Sequence, residues 1–294
     1  MQGRWVQGLL VLVALSGCGA PVDAGHDLAL PADLGDGCND LLDDGVDGGV
    51  CLLEVSGRLV DEAGAALDGI PVSVCGAACF YGRSTADGTF TVKVKSHLTY
   101  ALYALHVDGR PDRVTYYAEL ASGTSQNSRV SFPGPLAVPL LPDHGPSLAL
   151  DSSAQVATSG DVELTVAAGT KIELDVQDFA ALPLGGELRV AAVTDFGKLP
   201  FVDAARPPAA LYAFAPSEAQ LSAPGGLSIA NHLGLAAGAP VAVWAQHGLI
   251  NATPPAGPLV RVATAHVSSD GSRIVTDATE GLGSLTWVAL FPGP

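Results

Sequence analysis

Apolar residues recur at every second position along short stretches bounded by turn residues. Positions 55, 57 (a glycine) and 59 alternate with polar neighbours, and the pattern returns at 70, 72 and 74 and at 90, 92 and 94. A period of two is that of half-buried strands. Asp61 to Gly64 and Asp87-Gly88 stand between these runs as turn signals. Alternation alone marks two further strands, Tyr100 to Val107 and Arg113 to Leu120. Beyond a Pro-rich joint from Pro133 through Pro146, Val162 to Val166 and Lys171 to Val176 flank Ala167-Ala168-Gly169-Thr170. Glu187 to Val193 follows a Gly-Gly pair, Leu211 to Phe214 precedes Pro216, and Pro240 to Trp244 is a short strand. Val262 to Val267 and Arg273 to Thr276 bracket Ser268-Ser269-Asp270-Gly271, a hairpin signal. The pattern predicts an all-β chain of two antiparallel β-sandwich domains, at 52–145 and 146–294, behind a signal peptide (1–17) and an acidic disordered tether (18–51).

Composition supports that reading and removes others. With 35 Gly and 21 Pro in 294 residues, turns come too often for long helices or a coiled coil. At 48% hydrophobic and 15% charged, the chain is too apolar to be disordered throughout. A net charge of −16 argues against a partner held by phosphate charge, so nucleic acid is excluded as a partner.

At the N-terminus one positive charge, Arg4, precedes an apolar run from Leu9 to Leu15 and then Leu15-Ser16-Gly17-Cys18. The run is too short to span about 30 Å of hydrocarbon and reads as an export signal. Its Leu-Ser-Gly-Cys ending resembles the lipobox of bacterial lipoproteins. The resemblance implies acylation of the Cys18 thiol, cleavage just before it, and anchorage of the protein to a membrane by lipid. Several acyl chains together hold a protein durably. Gly19 rather than Asp follows, which by the sorting pattern of such lipoproteins implies the outer membrane, facing either the periplasm or the outside.

Setting Cys18 aside, four cysteines remain, Cys38, Cys51, Cys75 and Cys79, an even number suited to two disulfides in an exported chain. Chain order favours Cys38 with Cys51 and Cys75 with Cys79 among three connectivities. A strand advances about 3.3 Å per residue and would hold Cys75 and Cys79 about 13 Å apart. A bond between them therefore requires Gly76-Ala77-Ala78 to turn.

From Gly19 to Val50 there are eight Asp and no Lys, Arg or Glu, so like charges repel and extend the tether. Within it, Cys38-Asn39-Asp40-Leu41-Leu42-Asp43-Asp44-Gly45-Val46-Asp47-Gly48-Gly49-Val50-Cys51 resembles the Cys-bounded, Asp/Asn/Gly-rich repeats of exported myxobacterial proteins, a resemblance that implies metal binding. Closely spaced carboxylates and glycine turns suit Ca²⁺. Asp40, Asp43, Asp44, Asp47 and Glu54 are the ligand set for that reading. Against an EF-hand loop, Asp43, Asp47, Gly48 and Glu54 take positions 1, 5, 6 and 12, but position 3 is Gly45 and strand follows Glu54. A solvated acidic spacer, with no cofactor at all, is the other reading.

The stretch Val55-Ser-Gly57-Arg-Leu59-Val-Asp61-Glu-Ala-Gly64, continuing through Ile70-Pro-Val72-Ser-Val74 to Thr85-Ala86-Asp87-Gly88-Thr89-Phe90, resembles the carboxypeptidase regulatory-like domain. That domain is a transthyretin-like β-sandwich, used on cell-surface proteins as a spacer or interaction module. The run Tyr212-Ala-Phe214-Ala-Pro216 through Leu227-Ser-Ile229-Ala-Asn231, with Gly234-Leu235, Asp270-Gly271 and Thr286-Trp287, is loosely similar to ZU5-type surface domains.

Reaction chemistry is sparse. The chain has no His-x-x-Glu, no Gly-x-Ser-x-Gly and no phosphate loop, and its seven His are scattered. Asp143-His144 is turn composition. Trp244 and Trp287 sit in apolar runs and read as core. Tyr116-Tyr117 places adjacent rings on opposite faces of a strand, so one is expected to be exposed and able to stack on a ligand. The sequence therefore predicts no enzyme. It predicts an envelope lipoprotein acting as a structural, adhesive or interaction scaffold, with polysaccharide binding through Tyr116 or Tyr117 as the alternative.

Overall fold

The computed structural model describes residues 38, 50–76, 78–98, 103–120, 128–248 and 256–293. Cys18 and the tether Asp residues lie outside them. The fold is all-β, and residues 37–294 form one compact unit. Among the described residues no helix is long and apolar enough to cross a membrane.

The first part holds two sheets. Strands β1 (Val50–Val60), β2 (Pro71–Cys75), β3 (Cys79–Arg83), β4 (Thr89–Leu98), β5 (Ala104–Asp108), β6 (Thr115–Glu119) and β7 (Ser128–Ala137) assort as β4-β1-β7 and β3-β2-β5-β6. Every pairing is antiparallel except β1 with β7, which is parallel. In β4 the alternation buries Phe90, Val92, Val94, Ser96 and Leu98 and leaves Thr89, Thr91 and Lys93 exposed. Between the sheets, Leu52, Val55 and Leu59 meet Val72, Val74, Leu105 and Val107 in one cluster.

The Pro-rich joint is shorter than its composition predicts. Pro133 and Pro135 lie inside β7, which among the described residues pairs only with β1 and so is an edge strand, where a missing N–H is tolerated. The chain after β7 stays packed: Val138 and Leu141 are buried, and Pro139 O and Asp112 O accept from Val114 N and Leu141 N.

The remaining strands form one large sheet: β8 (Gln155–Ser159), β9 (Val162–Val166), β10 (Ile172–Glu173), β11 (Arg189–Val193), β12 (Ala210–Ala215), β13 (Ala219–Ala230), β14 (Pro240–Gln246), β15 (Leu259–Val267), β16 (Arg273–Thr276), β17 (Leu282–Leu285) and β18 (Trp287–Pro292). Its path runs β11-β12-β18-β14-β15-β16-β13-β9-β8, with β10 and β17 also on β13. The ends of the path meet where Val190 N of β11 donates to Ser159 Oγ of β8 at 2.9 Å, so the sheet nearly closes as a barrel. The predicted strand at 171–176 is cut short. After Ile172–Glu173 the chain turns into helix α1 (Val176–Ala180), whose first turn is capped by Asp175 accepting from Gln177 N.

The two parts share apolar interior. Val193, Leu211, Ala213, Ala215, Trp287 and Ala289 of the large sheet, with Leu199 from the connection between β11 and β12, belong to the same buried cluster as the core of the first part.

Candidate functional site

Strand β6 ends the path β3-β2-β5-β6, and both of its faces are covered. Tyr116 and Tyr117 do point to opposite sides, but neither ring is exposed: Tyr116 is 0% and Tyr117 is 3% accessible. This corrects the expectation that one of them is free to stack on a ligand. Tyr116 packs against Phe201 (ring centroids 5.7 Å) and edge-on to Trp287 (6.2 Å), and Trp287 Nε1 donates to Thr115 O at 2.8 Å. Tyr117 stacks on His106 at 4.6 Å and donates to Glu218 Oε2 at 2.5 Å. Gln246 clamps the Tyr117 backbone, accepting from its N–H at 3.2 Å and donating to its carbonyl at 2.9 Å. Burial and the neighbouring Glu218 carboxylate hold the Tyr117 phenol far above its ordinary pKa, and burial does the same for Tyr116.

Beside Tyr117 lies a buried ion cluster. Asp108, at the end of β5, takes a two-pronged bond from Arg110, with Nε at 2.8 Å and Nη2 at 2.9 Å. The remaining prong, Nη1, donates to Asp175 at 2.8 Å and Asp178 at 3.3 Å across the junction to α1. Burial would raise Asp108, but the Arg110 hydrogen bonds and charge outweigh it and hold the carboxyl below its ordinary range. Asp178 is pushed up to about 6 by burial, aided by Asp175 and Asp108 and opposed by Arg110. His106 is pulled down to about 4 by burial. Its Nδ1 lies 3.5 Å from Ser73 Oγ, longer than a nucleophile keeps to its base, and the carboxylate nearby belongs to Arg110. The cluster joins one part of the fold to the other and holds its carboxylates by charge pairing.

Next to this junction a cleft of about 410 Å³ opens to solvent, its walls formed by Phe201, Trp244, Phe291 and Leu259, with Glu119 and Arg206 among its polar groups. Trp244 is not core as its apolar run predicts. A β-bulge between Val243 and Trp244 interrupts the β14–β15 register after a fully buried Val241-Ala242-Val243, and the indole is left half-buried in the cleft wall. Its ring lies 5.5 Å from that of Phe291, and the Arg206 guanidinium sits over Phe291 at 5.7 Å. Trp244 Nε1 is covered and has no hydrogen-bond partner among the described residues, unusual for an indole N–H. Phe201 belongs to the turn after Leu199 and links the cleft to the buried rings, 5.0 Å from Trp287. Asp203 opens the next turn, which carries Arg206, and accepts from Ala205 N at 2.8 Å.

The other residues singled out in the sequence lie elsewhere. Cys38 is bonded to Cys51 and Cys75 to Cys79, the latter pair with Cα atoms 4.1 Å apart across the β2–β3 hairpin. Of the five Ca²⁺ candidates, Asp40, Asp43, Asp44 and Asp47 lie outside the described residues. Glu54 stands in β1, in register with Lys93 and 3.2 Å from Arg129 Nε, an ion pair rather than a Ca²⁺ ligand set. Histidine–carboxylate pairs are separate and exposed on the histidine side: His144 with Glu187, His232 with Asp161 and His266 with Asp277. The Arg110 cluster, Glu218 and the cleft are not visible as local motifs, because their partners stand 65 to 129 residues apart in the chain. The one local trace was Trp244 itself.

No protein-family model matches the chain, and no curated protein matches it in sequence. Among solved structures, a DUF3823 family protein from Bacteroides ovatus ATCC 8483 is similar to it at 10% identity, over 78% of this chain and 96% of that one. The TM-score is 0.19, a likeness too remote to carry an argument about function.

Proposed function

We propose that this chain is a non-catalytic cell-envelope lipoprotein module that binds polysaccharide in the cleft beside Trp244. The observation that carries the reading is the cleft itself: Trp244, Phe201 and Phe291 give ring surface for sugar C–H faces, and Glu119 and Arg206 give an acceptor and donors for hydroxyls. The binding role thus moves from Tyr116 and Tyr117, which are sealed between the two parts of the fold, to the cleft wall. The lipobox resemblance at Cys18 and the acidic stretch behind it supply the envelope address and the reach. The carboxypeptidase regulatory-like resemblance of the first part adds a rigid carrier for the site.

The test is titration of envelope polysaccharides into the full chain carrying Cys18→Ser, a soluble form. Saturable binding is expected, weakened at least tenfold, or about 1.4 kcal/mol, by Trp244→Ala and measurably by Trp244→Phe. Tyr117→Phe keeps the ring buried and is expected to leave affinity unchanged. Absence of saturable binding across the panel, or binding indifferent to both Trp244 variants, would leave only a scaffold role.

A further inference from the structure

The root of the tether carries metal-ligand chemistry that differs from the oxygen-rich Ca²⁺ reading. In the antiparallel β1–β4 ladder, Cys51 stands directly opposite His97, and residues so paired project from the same face. Cys51 is buried, while His97 and Cys38 are half-buried. Cys38 is bonded to Cys51, which brings its sulfur to the same spot. The Cys38 Sγ, the Cys51 Sγ and a His97 ring nitrogen all lie within 4.8 Å of one another.

Zn²⁺ binds thiolate sulfur at about 2.3 Å and imidazole nitrogen at about 2.0–2.1 Å, so its ligand atoms stand roughly 3.5–3.8 Å apart in a tetrahedron. Opening the S–S bond forces the two sulfurs apart toward that spacing, and the third ligand is already at hand. While the bridge is closed the sulfurs are spent on each other and no thiolate is available.

We propose that reduction of the Cys38–Cys51 bridge by a dithiol converts it into a three-ligand Zn²⁺ site made of Cys38, Cys51 and His97, with solvent as the fourth ligand. The S–S bond takes two electrons from the dithiol, which closes into its own disulfide, and the two dithiol protons pass to Cys38 and Cys51. Binding of Zn²⁺ then releases both protons to solvent and leaves His97 neutral. The ion replaces the covalent bridge in holding the tether root on β1. Such a site selects a borderline ion with sulfur affinity over Ca²⁺.

The test uses the full chain carrying Cys18→Ser, reduced with dithiothreitol, freed of reductant under argon and titrated with Co²⁺ as the spectroscopic probe. One equivalent is expected to bring thiolate-to-metal charge-transfer absorption with tetrahedral visible bands, and Zn²⁺ is expected to displace it. The unreduced protein is expected to show neither. Cys38→Ser and Cys51→Ser are expected to abolish the signal, and His97→Ala to weaken Co²⁺ binding at least tenfold. The proposal is overturned if no such bands appear, if they persist unchanged in His97→Ala or Cys38→Ser, which would assign them to Cys75 and Cys79, or if reduction alone removes the β-sheet circular dichroism.

Discussion

Arg110 shows how one side chain joins separate stretches of sequence. Its guanidinium holds Asp108 from its own strand end and Asp175 and Asp178 from α1, all with little solvent around them. Of the three carboxylates around this cation Asp178 is the most buried, and burial first, with the charges of Asp175 and Asp108 adding to it against the pull of Arg110, raises its pKa to about 6. An acid whose folded pKa is raised contributes stability that is complete below its unfolded value near 3.8 and is lost as pH rises through 6. His106 works in the opposite direction. Its pKa falls from 6.5 to about 4, so the folded state resists protonation and loses stability as pH drops through that window. Between about pH 4 and 6.5 the two contributions oppose each other. Asp178→Asn is expected to remove one, so that, relative to the parent, stability falls on acidification by an amount on the order of 2 kcal/mol. His106→Asn is expected to tilt the difference the other way. Urea unfolding of the three proteins across this pH range checks it, and parallel curves for all three would show that neither group titrates as its surroundings dictate.

At the level of elements, two turns use the same device. In Thr85-Ala86-Asp87-Gly88-Thr89 the Asp87 carboxylate accepts from the Thr85 hydroxyl at 2.6 Å, the Thr89 hydroxyl at 2.7 Å and Thr89 N at 3.1 Å. In Ser268-Ser269-Asp270-Gly271-Ser272 the Asp270 carboxylate accepts from Ser268 Oγ at 2.6 Å, Ser272 Oγ at 2.8 Å and Ser272 N at 3.0 Å. These bonds, the hydroxyl of Thr85 or Ser268 foremost, pull both carboxyls down to about 2. Each glycine that follows has a left-handed backbone, φ +81° at Gly88 and +76° at Gly271. Their surroundings differ: a Cβ on Gly271 meets nothing within 4 Å, whereas one on Gly88 would run into the Leu59 carbonyl oxygen. Gly271→Ala is therefore expected to cost about 1 kcal/mol for its backbone alone. Gly88→Ala is expected to cost at least twice that, read as the difference in urea midpoint; equal costs would mean that β1 yields to the added methyl. Turns of this kind were legible in the sequence because their chemistry is local, and with them came β9 and β16 to the residue and the all-β class of the fold. What local pattern did not disclose was that β7 runs through two prolines, or that α1 interrupts a run reading as strand. There edge position and the pull of Arg110 on Asp175 and Asp178 decide the structure, and both are set by distant partners.

The same limit governs the whole molecule. Alternation along Arg113 to Leu120 announces two faces for β6 but not what covers them, and the cover, Phe201, Glu218, Gln246 and Trp287, comes from far along the chain. Two sandwiches in succession read as two cores; among the described residues two large buried clusters are present, one within the large sheet around Leu164, Ile229 and Val288, and the one that fills the first part extends beyond it into Leu199, Leu211 and Trp287. Trp287 is 1% accessible and makes the joint in two ways, by its ring against Tyr116 and Phe201 and by its N–H on Thr115 O. Two domains with a thin polar interface would unfold independently, while parts that share apolar interior and a buried ion cluster lose both on separation. Tyr116, Tyr117 and the Arg110 cluster would then face water or stand unpaired, which makes the separated first part poorer in stability than its own sheets suggest. Hydrogen exchange on the intact chain is expected to show the amides of β2 and β5 and those of β14 and β18 losing protection together as denaturant rises. Trp287→Ala is expected to lower the common opening free energy by about 3–5 kcal/mol in both groups of amides, although the residue belongs to only one of them. If the variant weakened β14 and β18 while β2 and β5 kept their protection, the shared core would be a contact between independent domains rather than a single folding unit.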